Sequence, residues 1–307
     1  MRIAFYTLGC KVNQYETRLW SSWSPSGATP WVPFDGDWPT AYVINTCSVT
    51  AVSDKKSRQV IRRARKTAPD AILAVCGCYS QTHPDDMDKL EVDLVSGTGD
   101  RTGFVDLLEQ TWQQHKSITA LDDPFQRRTF ENLPAGGLEG RTRAMLEKLR
   151  TAASTSVPTA SSPMPVAASA PCPWPTAPPR PRHWWRQGIR RVVLTGIEIS
   201  SWGQDLEGKP TLIDAVEAIC KAVPAHIRVR LGSLEPRTIT EDFCRRCAAL
   251  ENLCPHFHLS MQSGCDTVLQ RMNRKYDSKR YYESVQFLRG VYDRPVITTD
   301  LIVGFPR

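Results

Sequence analysis

Stretches with the pattern of β-strands alternate with stretches of helical periodicity in the first third of the chain, and this alternation restricts the fold more than any other feature. The strand-like runs are RIAFYTLGC, AYVINTC, AILAVCGC and VDLVSGTGD. Apolar residues at helical spacing mark SDKKSRQVIRRARKTAP, which ends at a proline, and TGFVDLLEQTWQQH. Strands that alternate with helices predict a parallel sheet with right-handed crossovers. We place this α/β domain at residues 1–135.

The same rhythm returns in the last third of the chain. Strand-like runs are IRRVVLTGIEIS, HIRVRLGSLEP, HFHLSMQSG and VITTDLIVGFP, with helical runs such as TLIDAVEAICKAV and SKRYYESVQFLRGVY between them. Repeated units of this kind predict part of a (βα) barrel, which we place at residues 140–307.

Barrel enzymes carry function at the C-terminal ends of their strands. The residues at or just beyond the predicted strand ends are therefore candidates for a cofactor site: Gly196, Glu198, Ser233, Glu235, Gln262, Ser263, Asp300 and Gly304. We add His258, which we expect to face the barrel interior near a bound cofactor. Turn formation by the glycines and solvent contact by the other residues are the alternatives.

The charge of the chain is mildly positive, with 39 Lys and Arg against 32 Asp and Glu and a net charge of +7. This excess permits a nucleic-acid partner without requiring one. Basic groups occur at residues 55–58 and 62–66, where a solvated helix face is the simpler interpretation. The chain has no apolar run of about 18 residues and no signal-peptide layout at its N-terminus, so we expect no membrane association and a cytoplasmic location.

The chain contains ten cysteines, and three of them end predicted strands. Without a secretory signal, metal or redox use is favoured over disulfides. Cys10, Cys47 and Cys78 fall at strand tips, which share the edge where open parallel sheets bind ligands. Three thiolates could bind three irons of a [4Fe–4S] cluster and leave the fourth iron open. Zinc and purely structural cysteines are the alternatives. Cys244 and Cys247 lie within a predicted helix and are predicted to be structural.

Longer motifs surround these residues. LGCKVNQYET, VINTCSVT and CGCYSQ resemble the three cysteine motifs of the N-terminal domain of the methylthiotransferases. GSLEPRTIT, HFHLSMQSGCDTVLQRMNRKY and TTDLIVGFP resemble the radical S-adenosylmethionine domain of the same enzymes. The resemblance is greatest to the family that modifies tRNA N6-threonylcarbamoyladenosine. Relatives that act on isopentenyladenosine in tRNA, or on a ribosomal protein, are alternatives.

The resemblance implies a flavodoxin-like domain, an open radical-SAM barrel and a small C-terminal RNA-binding domain. It implies one [4Fe–4S] cluster, held by a C-x-x-x-C-x-x-C loop, that cleaves S-adenosylmethionine with an electron from an external donor. A second cluster, at Cys10, Cys47 and Cys78, is associated with sulfur delivery to C2 of the adenosine. The implied partner is a tRNA anticodon loop, whose bases are unstacked and accessible. The resemblance implies a cofactor or substrate pocket at the QSG block, and it leaves the catalytic residues unknown.

The C-x-x-x-C-x-x-C loop expected after GGLEGRTRAMLEK is missing. Residues 149–186 stand in its place, rich in Ala, Ser, Pro and Thr and with Cys172 as their one cysteine. A shifted reading frame with permitted codons gives IADGCKHFCAYCIIPYARG and onward, with cysteines at the positions of Ala153, Val157 and Ala160. We interpret the segment as a frameshift and expect it to be disordered. A natural disordered insert is the alternative.

Two further departures lead to the same interpretation. Residues 20–31, WSSWSPSGATPW, permit the out-of-frame reading MEQLVSERGYTV. The chain ends at VGFPR where the family continues GFPGE, so we expect the last barrel strands and the RNA-binding domain to be absent. The chain as written is therefore expected to lack methylthiotransferase activity. A non-catalytic iron–sulfur or RNA-binding remnant is the second functional hypothesis.

Overall fold

A computed structural model describes residues 1–22, 31–36, 38–124, 144–150, 189–204 and 206–305. The chain divides into two compact units. The first contains the described residues up to 124, and the second contains those from 144 onward. None of the helices within these ranges is long and apolar enough to cross a membrane.

The first unit is a parallel sheet with helices on both faces. Its strands are β1 (Ile3–Thr7), β2 (Trp31–Val32), β3 (Ala41–Thr46), β4 (Ile72–Gly77), β5 (Leu94–Ser96) and β6 (Ile118–Ala120). Its helices are α1 (Lys11–Ser22), α2 (Ala51–Thr67), α3 (Cys78–Thr82), α4 (Asp85–Lys89) and α5 (Gly103–Gln114). The strands pair in parallel in the order β2-β1-β3-β4-β5-β6. This is the flavodoxin-like order with one further strand, as predicted.

The central strands β3 and β4 are buried at all six of their positions. Successive side chains of a strand point to opposite faces of the sheet. Tyr42 and Ile44 accordingly pack in the same core as Ile61 of α2, whereas Val43 packs in the opposite core with Phe104 of α5. Burial on both faces explains why these strands read as nearly continuous apolar runs in the sequence.

Helix α1 includes Trp20, the first residue of the stretch 20–31 that we interpreted as out of frame. The Trp20 side chain is buried, and its ring centroid lies 4.6 Å from that of Phe104. Its indole Nε1 donates a hydrogen bond of 2.8 Å to the backbone oxygen of Arg101. The interpretation is therefore wrong for Trp20, which packs as a native core residue. Residues 23–30 lie outside the described part of the chain.

The second unit also alternates strands with helices. Its strands are β7 (Ala144–Arg150), β8 (Arg191–Gly196), β9 (Arg228–Leu231), β10 (Ser233–Leu234), β11 (His256–Leu259) and β12 (Val296–Thr298). Its helices are α6 (Leu212–Ala222), α7 (Glu241–Ala248), α8 (Asp266–Arg271) and α9 (Ser278–Val291). All pairing is parallel, in two sheets with the orders β7-β8-β9 and β10-β11-β12.

Gly232 alone separates β9 from β10, so the two sheets follow one another without a break in the chain. Its backbone N–H donates a 2.8 Å hydrogen bond to the oxygen of Leu194 in β8. A side chain at this position would clash, because a Cβ on Gly232 would lie 2.8 Å from the same oxygen. The six strands thus succeed each other in chain order, which is the arrangement of a partial (βα) barrel.

Strand β7 was not predicted, and it overlaps the segment 149–186 that we expected to be disordered. Leu149 and Arg150 belong to this strand, which pairs with β8 from Ala144↔Arg191 to Arg150↔Gly196. The expectation is therefore wrong for these two residues, because pairing with β8 decides their conformation. Residues 151–186, including the positions of the out-of-frame cysteines and Cys172, lie outside the described residues.

The cysteines predicted to be structural lie in the core of the second unit. Cys244 and Cys247 are fully buried among the apolar residues of this core. Burial raises the pKa of Cys244 to about 11, so its thiol stays neutral at ordinary pH. The side-chain hydroxyl of Thr240 accepts a hydrogen bond from the backbone N–H of Phe243 and caps α7. A structural role is confirmed for this pair.

Candidate metal centre and cofactor face

The three strand-end cysteines lie at the carboxyl edge of the first sheet. Cys47 directly follows β3, Cys78 directly follows β4, and Cys10 immediately precedes α1 in the loop after β1. These three strands are neighbours, in the order β1-β3-β4. The chain leaves β1 toward one side of the sheet for β2 and toward the other for β3, so the cysteines surround the topological switch point. Open α/β sheets bind ligands at this place.

Close backbone packing brings the Cys10 loop onto Cys47. Gly9 has a φ of +95°, and a Cβ on it would lie 2.8 Å from the Sγ of Cys47. The amide of the buried Asn13 donates hydrogen bonds to the backbone oxygens of Leu8, at 2.9 Å, and Thr46, at 2.8 Å. It therefore ties the loop after β1 to the end of β3. The Cys10 thiol donates to the Asn13 side-chain oxygen at 3.6 Å.

A similar contact fixes the third cysteine. Gly77, the last residue of β4, has a φ of +100°, and a Cβ there would lie 2.5 Å from the backbone oxygen of Thr46. The Thr46 hydroxyl donates a 2.6 Å hydrogen bond to the backbone oxygen of Cys76. Because Gly77 directly precedes Cys78, the end of β4 is held against the end of β3 at the point where two of the cysteines leave the sheet.

The thiols of this edge are held neutral by their surroundings. Burial raises the pKa of Cys78 to about 12, and the neighbouring Cys10 and Cys47 add to the increase. Burial is also the main cause of the raised pKa of Cys10. Thiolate is the form that binds metals, so the negative charge of these ligands would require the positive charge of a bound metal group.

The donor set fits a cluster better than a single ion. Within the described ranges, no three His, Cys, Asp or Glu side chains are grouped so as to hold one metal ion. A mononuclear zinc site requires four ligands around one centre, whereas a [4Fe–4S] cluster takes each cysteine on a different iron. Three thiols from three neighbouring loops suit the second arrangement.

A buried ion pair accompanies the cysteines and was not predicted from the sequence. Glu16 of α1 and Arg101, in the loop after β5, lie 2.9 Å apart with side chains only 4% and 3% exposed. The Arg101 guanidinium also donates to the oxygen of Gly97 at 2.9 Å and lies 5.3 Å from the centre of the Trp20 ring. Both charges act on the thiol of Cys78, where Glu16 raises the pKa and Arg101 lowers it.

In the second unit, the predicted cofactor residues lie at the carboxyl ends of the strands. Glu198, which has a φ of +54°, follows Gly196 at the end of β8. The hydroxyl of Ser200 accepts a 2.9 Å hydrogen bond from the backbone N–H of Glu235, which joins the loops after β8 and β10. Ser233 of β10 lies opposite His258 of β11 in the strand register.

The remaining candidates gather around β11 and β12. His258 Nε2 lies 3.3 Å from an Asp300 carboxylate oxygen, and its Nδ1 lies 3.0 Å from the hydroxyl of Thr298. The backbone N–H of Gln262 donates to the oxygen of Asp300 at 2.9 Å. The Ser263 hydroxyl accepts from the N–H of Cys265 at 3.2 Å and so supports a turn. The structure therefore brings His258, Gln262 and Asp300 together, and Glu198 to Glu235 through Ser200.

Comparisons with known proteins cover both units. Residues 2–97 match the family described as "Uncharacterized protein family UPF0004", and residues 182–307 match the Radical SAM superfamily. A protein of Bacillus subtilis named threonylcarbamoyladenosine tRNA methylthiotransferase MtaB is 32% identical over 99% of this chain and 67% of its own length. A protein of the same name from Aquifex aeolicus is 31% identical over 100% of this chain and 74% of its own length. A tRNA-2-methylthio-N(6)-dimethylallyladenosine synthase of Symbiobacterium thermophilum is 28% identical over 99% of this chain and 67% of its length.

Solved structures agree with the fold. The radical S-adenosylmethionine methyltransferase TsrM from Kitasatospora setae superposes with a TM-score of 0.59 over 98% of this chain and 67% of its own, at 13% identity. The cobalamin-dependent S-adenosylmethionine radical enzyme OxsB superposes with a TM-score of 0.59 over 98% of this chain and 49% of its own, at 10% identity. At these identities the likeness concerns the fold alone.

Proposed function

Because the chain belongs to the radical-SAM tRNA methylthiotransferases, a family of transferases that use [4Fe–4S] clusters and S-adenosylmethionine, we propose that its reaction is the methylthiolation of C2 of N6-threonylcarbamoyladenosine next to the anticodon. The relatives at 31–32% identity carry this substrate in their names, whereas the dimethylallyladenosine synthases match at 28–30%. tRNA is a cytoplasmic substrate, and we place the reaction there. The observation that carries the proposal is the convergence of Cys10, Cys47 and Cys78 on one sheet edge.

We assign Cys10, Cys47 and Cys78 as ligands of one [4Fe–4S] cluster, which when bound would supply an iron with an open position for sulfur. Asn13 holds two of the three ligand loops at a fixed spacing through its paired hydrogen bonds. The buried Glu16–Arg101 pair contributes fixed charges next to these loops. The chain's own contribution is thus a rigid pocket of thiols.

In the second unit we assign Gly196, Glu198, Ser233, Glu235, His258, Gln262, Ser263 and Asp300 to the S-adenosylmethionine pocket. Carboxylates at strand ends are suitable acceptors for the amino group and the ribose hydroxyls of this cofactor. His258, between Thr298 and Asp300, is held in one orientation by contacts at both ring nitrogens. An external one-electron donor completes the reaction.

The chain as written is expected to lack the radical step. The alignment with the Bacillus relative spans 308 positions and 99% of this chain, so segment 149–186 replaces a stretch of similar length rather than adding to it. This favours a frameshift over a natural insert. Without the C-x-x-x-C-x-x-C thiolates there is no site for the cluster that cleaves S-adenosylmethionine. If the DNA confirms the segment as written, an iron–sulfur protein without radical chemistry is the second candidate function.

Iron binding tests the first assignment. Anaerobic reconstitution of the full chain is expected to give about four irons per chain and a cluster absorbance near that of other [4Fe–4S] proteins. Serine at Cys10, Cys47 or Cys78 is expected to abolish this iron. The matched control is Cys265→Ser, at an exposed cysteine outside the site, which is expected to retain it. Equal iron in all four variants, or stoichiometric zinc in place of iron, would refute the assignment.

Replacement of the out-of-frame segment tests the second. A variant that carries the shifted-frame translation of residues 149–186 is expected to bind about four further irons and to cleave S-adenosylmethionine on reduction. The chain as written is expected to do neither. Cleavage of S-adenosylmethionine by the chain as written would contradict the frameshift interpretation.

A further inference from the structure

Helix α2 concentrates the positive charge of the chain. It carries seven Lys or Arg and one Asp, a net charge of +6, whereas the whole chain has a net charge of +7. Part of this charge has a structural use. Arg65 pairs with Asp93 at 2.6 Å, Arg58 donates to the Tyr79 hydroxyl at 3.0 Å, and Arg63 lies 3.2 Å from Asp35.

The other four basic residues form what we call the α2 basic face: Lys55, Lys56, Arg62 and Lys66. All four are exposed. Within the described part of the chain, none of them has a carboxylate within ion-pair distance. The buried residues Ser57, Ile61 and Ala64 occupy the opposite side of the helix. These four charges therefore face solvent without a protein partner among the described residues.

The spacing of the face suits a chain of phosphates. At about 100° and 1.5 Å per residue, Lys55, Arg62 and Lys66 fall within about 40° of one another around the helix and span about 16 Å along it. A stripe of this length can contact several phosphates of a nucleic-acid strand. The stripe contains no large apolar side chain, which an amphipathic membrane-binding helix would require.

The face begins beside the cysteine edge. Helix α2 starts at Ala51, four residues after Cys47, and the hydroxyl of Ser57 donates a 3.0 Å hydrogen bond to the backbone oxygen of Cys47. The first turns of the helix are thereby tied to the cysteine loop. A strand that follows the stripe toward the helix N-terminus would arrive at the proposed cluster.

We propose that the α2 basic face binds the phosphate backbone of the RNA substrate and directs the strand toward the Cys10, Cys47 and Cys78 edge. This inference rests on the proposed function, and it locates the RNA-binding surface within the first unit. Lysine and arginine contacts to phosphates position a nucleic acid without reading its sequence. The base to be modified is then selected elsewhere, by the substrate pocket.

Salt-dependent binding of the full chain to a labelled anticodon stem-loop RNA tests the proposal. Glutamine at the four positions of the face (K55Q/K56Q/R62Q/K66Q) retains helix propensity, so the fold is preserved and circular dichroism verifies it. We expect this variant to bind about 10- to 100-fold more weakly at low salt. The slope of log K against log salt is expected to fall by about 2 to 3, because each lost phosphate contact removes about 0.7 to 0.9.

The matched control removes the same number of exposed charges elsewhere: K89Q, K116Q, K221Q and K279Q combined. This control, and the charge-preserving K55R/K56R/K66R, are expected to keep the affinity and salt slope of the unmodified chain. An α2 variant with unchanged affinity and slope, while the unmodified chain binds the RNA, overturns this inference alone. An unmodified chain that fails to bind the RNA, or binds only anionic phosphatidylglycerol vesicles, overturns the RNA assignment of the proposed function as well.

Discussion

Replacing Arg101 with methionine removes the positive half of an ion pair that is almost completely buried beside the cysteine edge. Glu16 then keeps a carboxylate that is 4% exposed and has lost its counter-charge at 2.9 Å. The hydrogen bond to Gly97 and the contact with the Trp20 ring are lost at the same time. Breaking one side of a buried pair costs about 3 to 5 kcal/mol, because the remaining charge is left in a medium of low polarity.

Hydrogen exchange measured by mass spectrometry gives a local readout of this loss. An opening free energy lower by about 3 kcal/mol corresponds to amide exchange in β1, β3 and β4 that is faster by about 100-fold. The double variant E16Q/R101M leaves no unpaired charge and is expected to recover most of the protection. As a control, Arg63→Gln breaks the exposed pair with Asp35, which is worth less than about 1 kcal/mol. Equal exchange in the single and double variants would refute the reasoning.

Two further substitutions test the packing of the site and the second unit. Gly77→Ala is expected to lower iron loading, since a Cβ there would lie 2.5 Å from a β3 oxygen at a φ of +100°, whereas Gly208→Ala, with a φ of +74° and open space around it, keeps full loading. Arg246→Met is expected to cost about 1 kcal/mol at neutral pH and to flatten the acid side of the melting profile. Hydrogen bonds from Arg246 lower the pKa of Glu217 and, against the effect of burial, that of Asp214. Their stabilisation is thus present above about pH 4.5 and lost below it. Melting temperatures that fall equally with acid in both proteins would contradict this.

Much of the fold could be predicted because the strands that form its centre are buried on both faces. β1, β3 and β4 read as apolar runs for this reason, and their order follows from the βα alternation. β7, AMLEKLR, has the spacing of a helix as much as of a strand, and only its pairing with β8 decides its conformation. The same is true of β2, whose two residues form a strand because they pair with β1.

The site divides in a similar way. Cysteines at the ends of strands carry their position in the sequence, since parallel strands place their carboxyl ends on one edge. The Glu16–Arg101 pair could not be predicted, because its partners lie far apart in the chain and only the packing of α1 against the loop after β5 brings them together. The α2 basic face was visible as a cluster of charges. Its distinction from the structurally used arginines required the contacts of Arg58, Arg63 and Arg65.

The register of β7 gives the missing loop a physical place. Arg150, the last residue of this strand, pairs with Gly196, so the chain leaves β7 at the same edge as Glu198. The shifted frame puts its first cysteine at the position of Ala153, three residues later. A cluster loop joined to this edge would start at the carboxyl end of the first strand of the barrel, where barrel enzymes assemble their sites. The lesion therefore removes the thiolates from the one edge on which the remaining cofactor residues converge, and restoring the segment is expected to return the cluster to them.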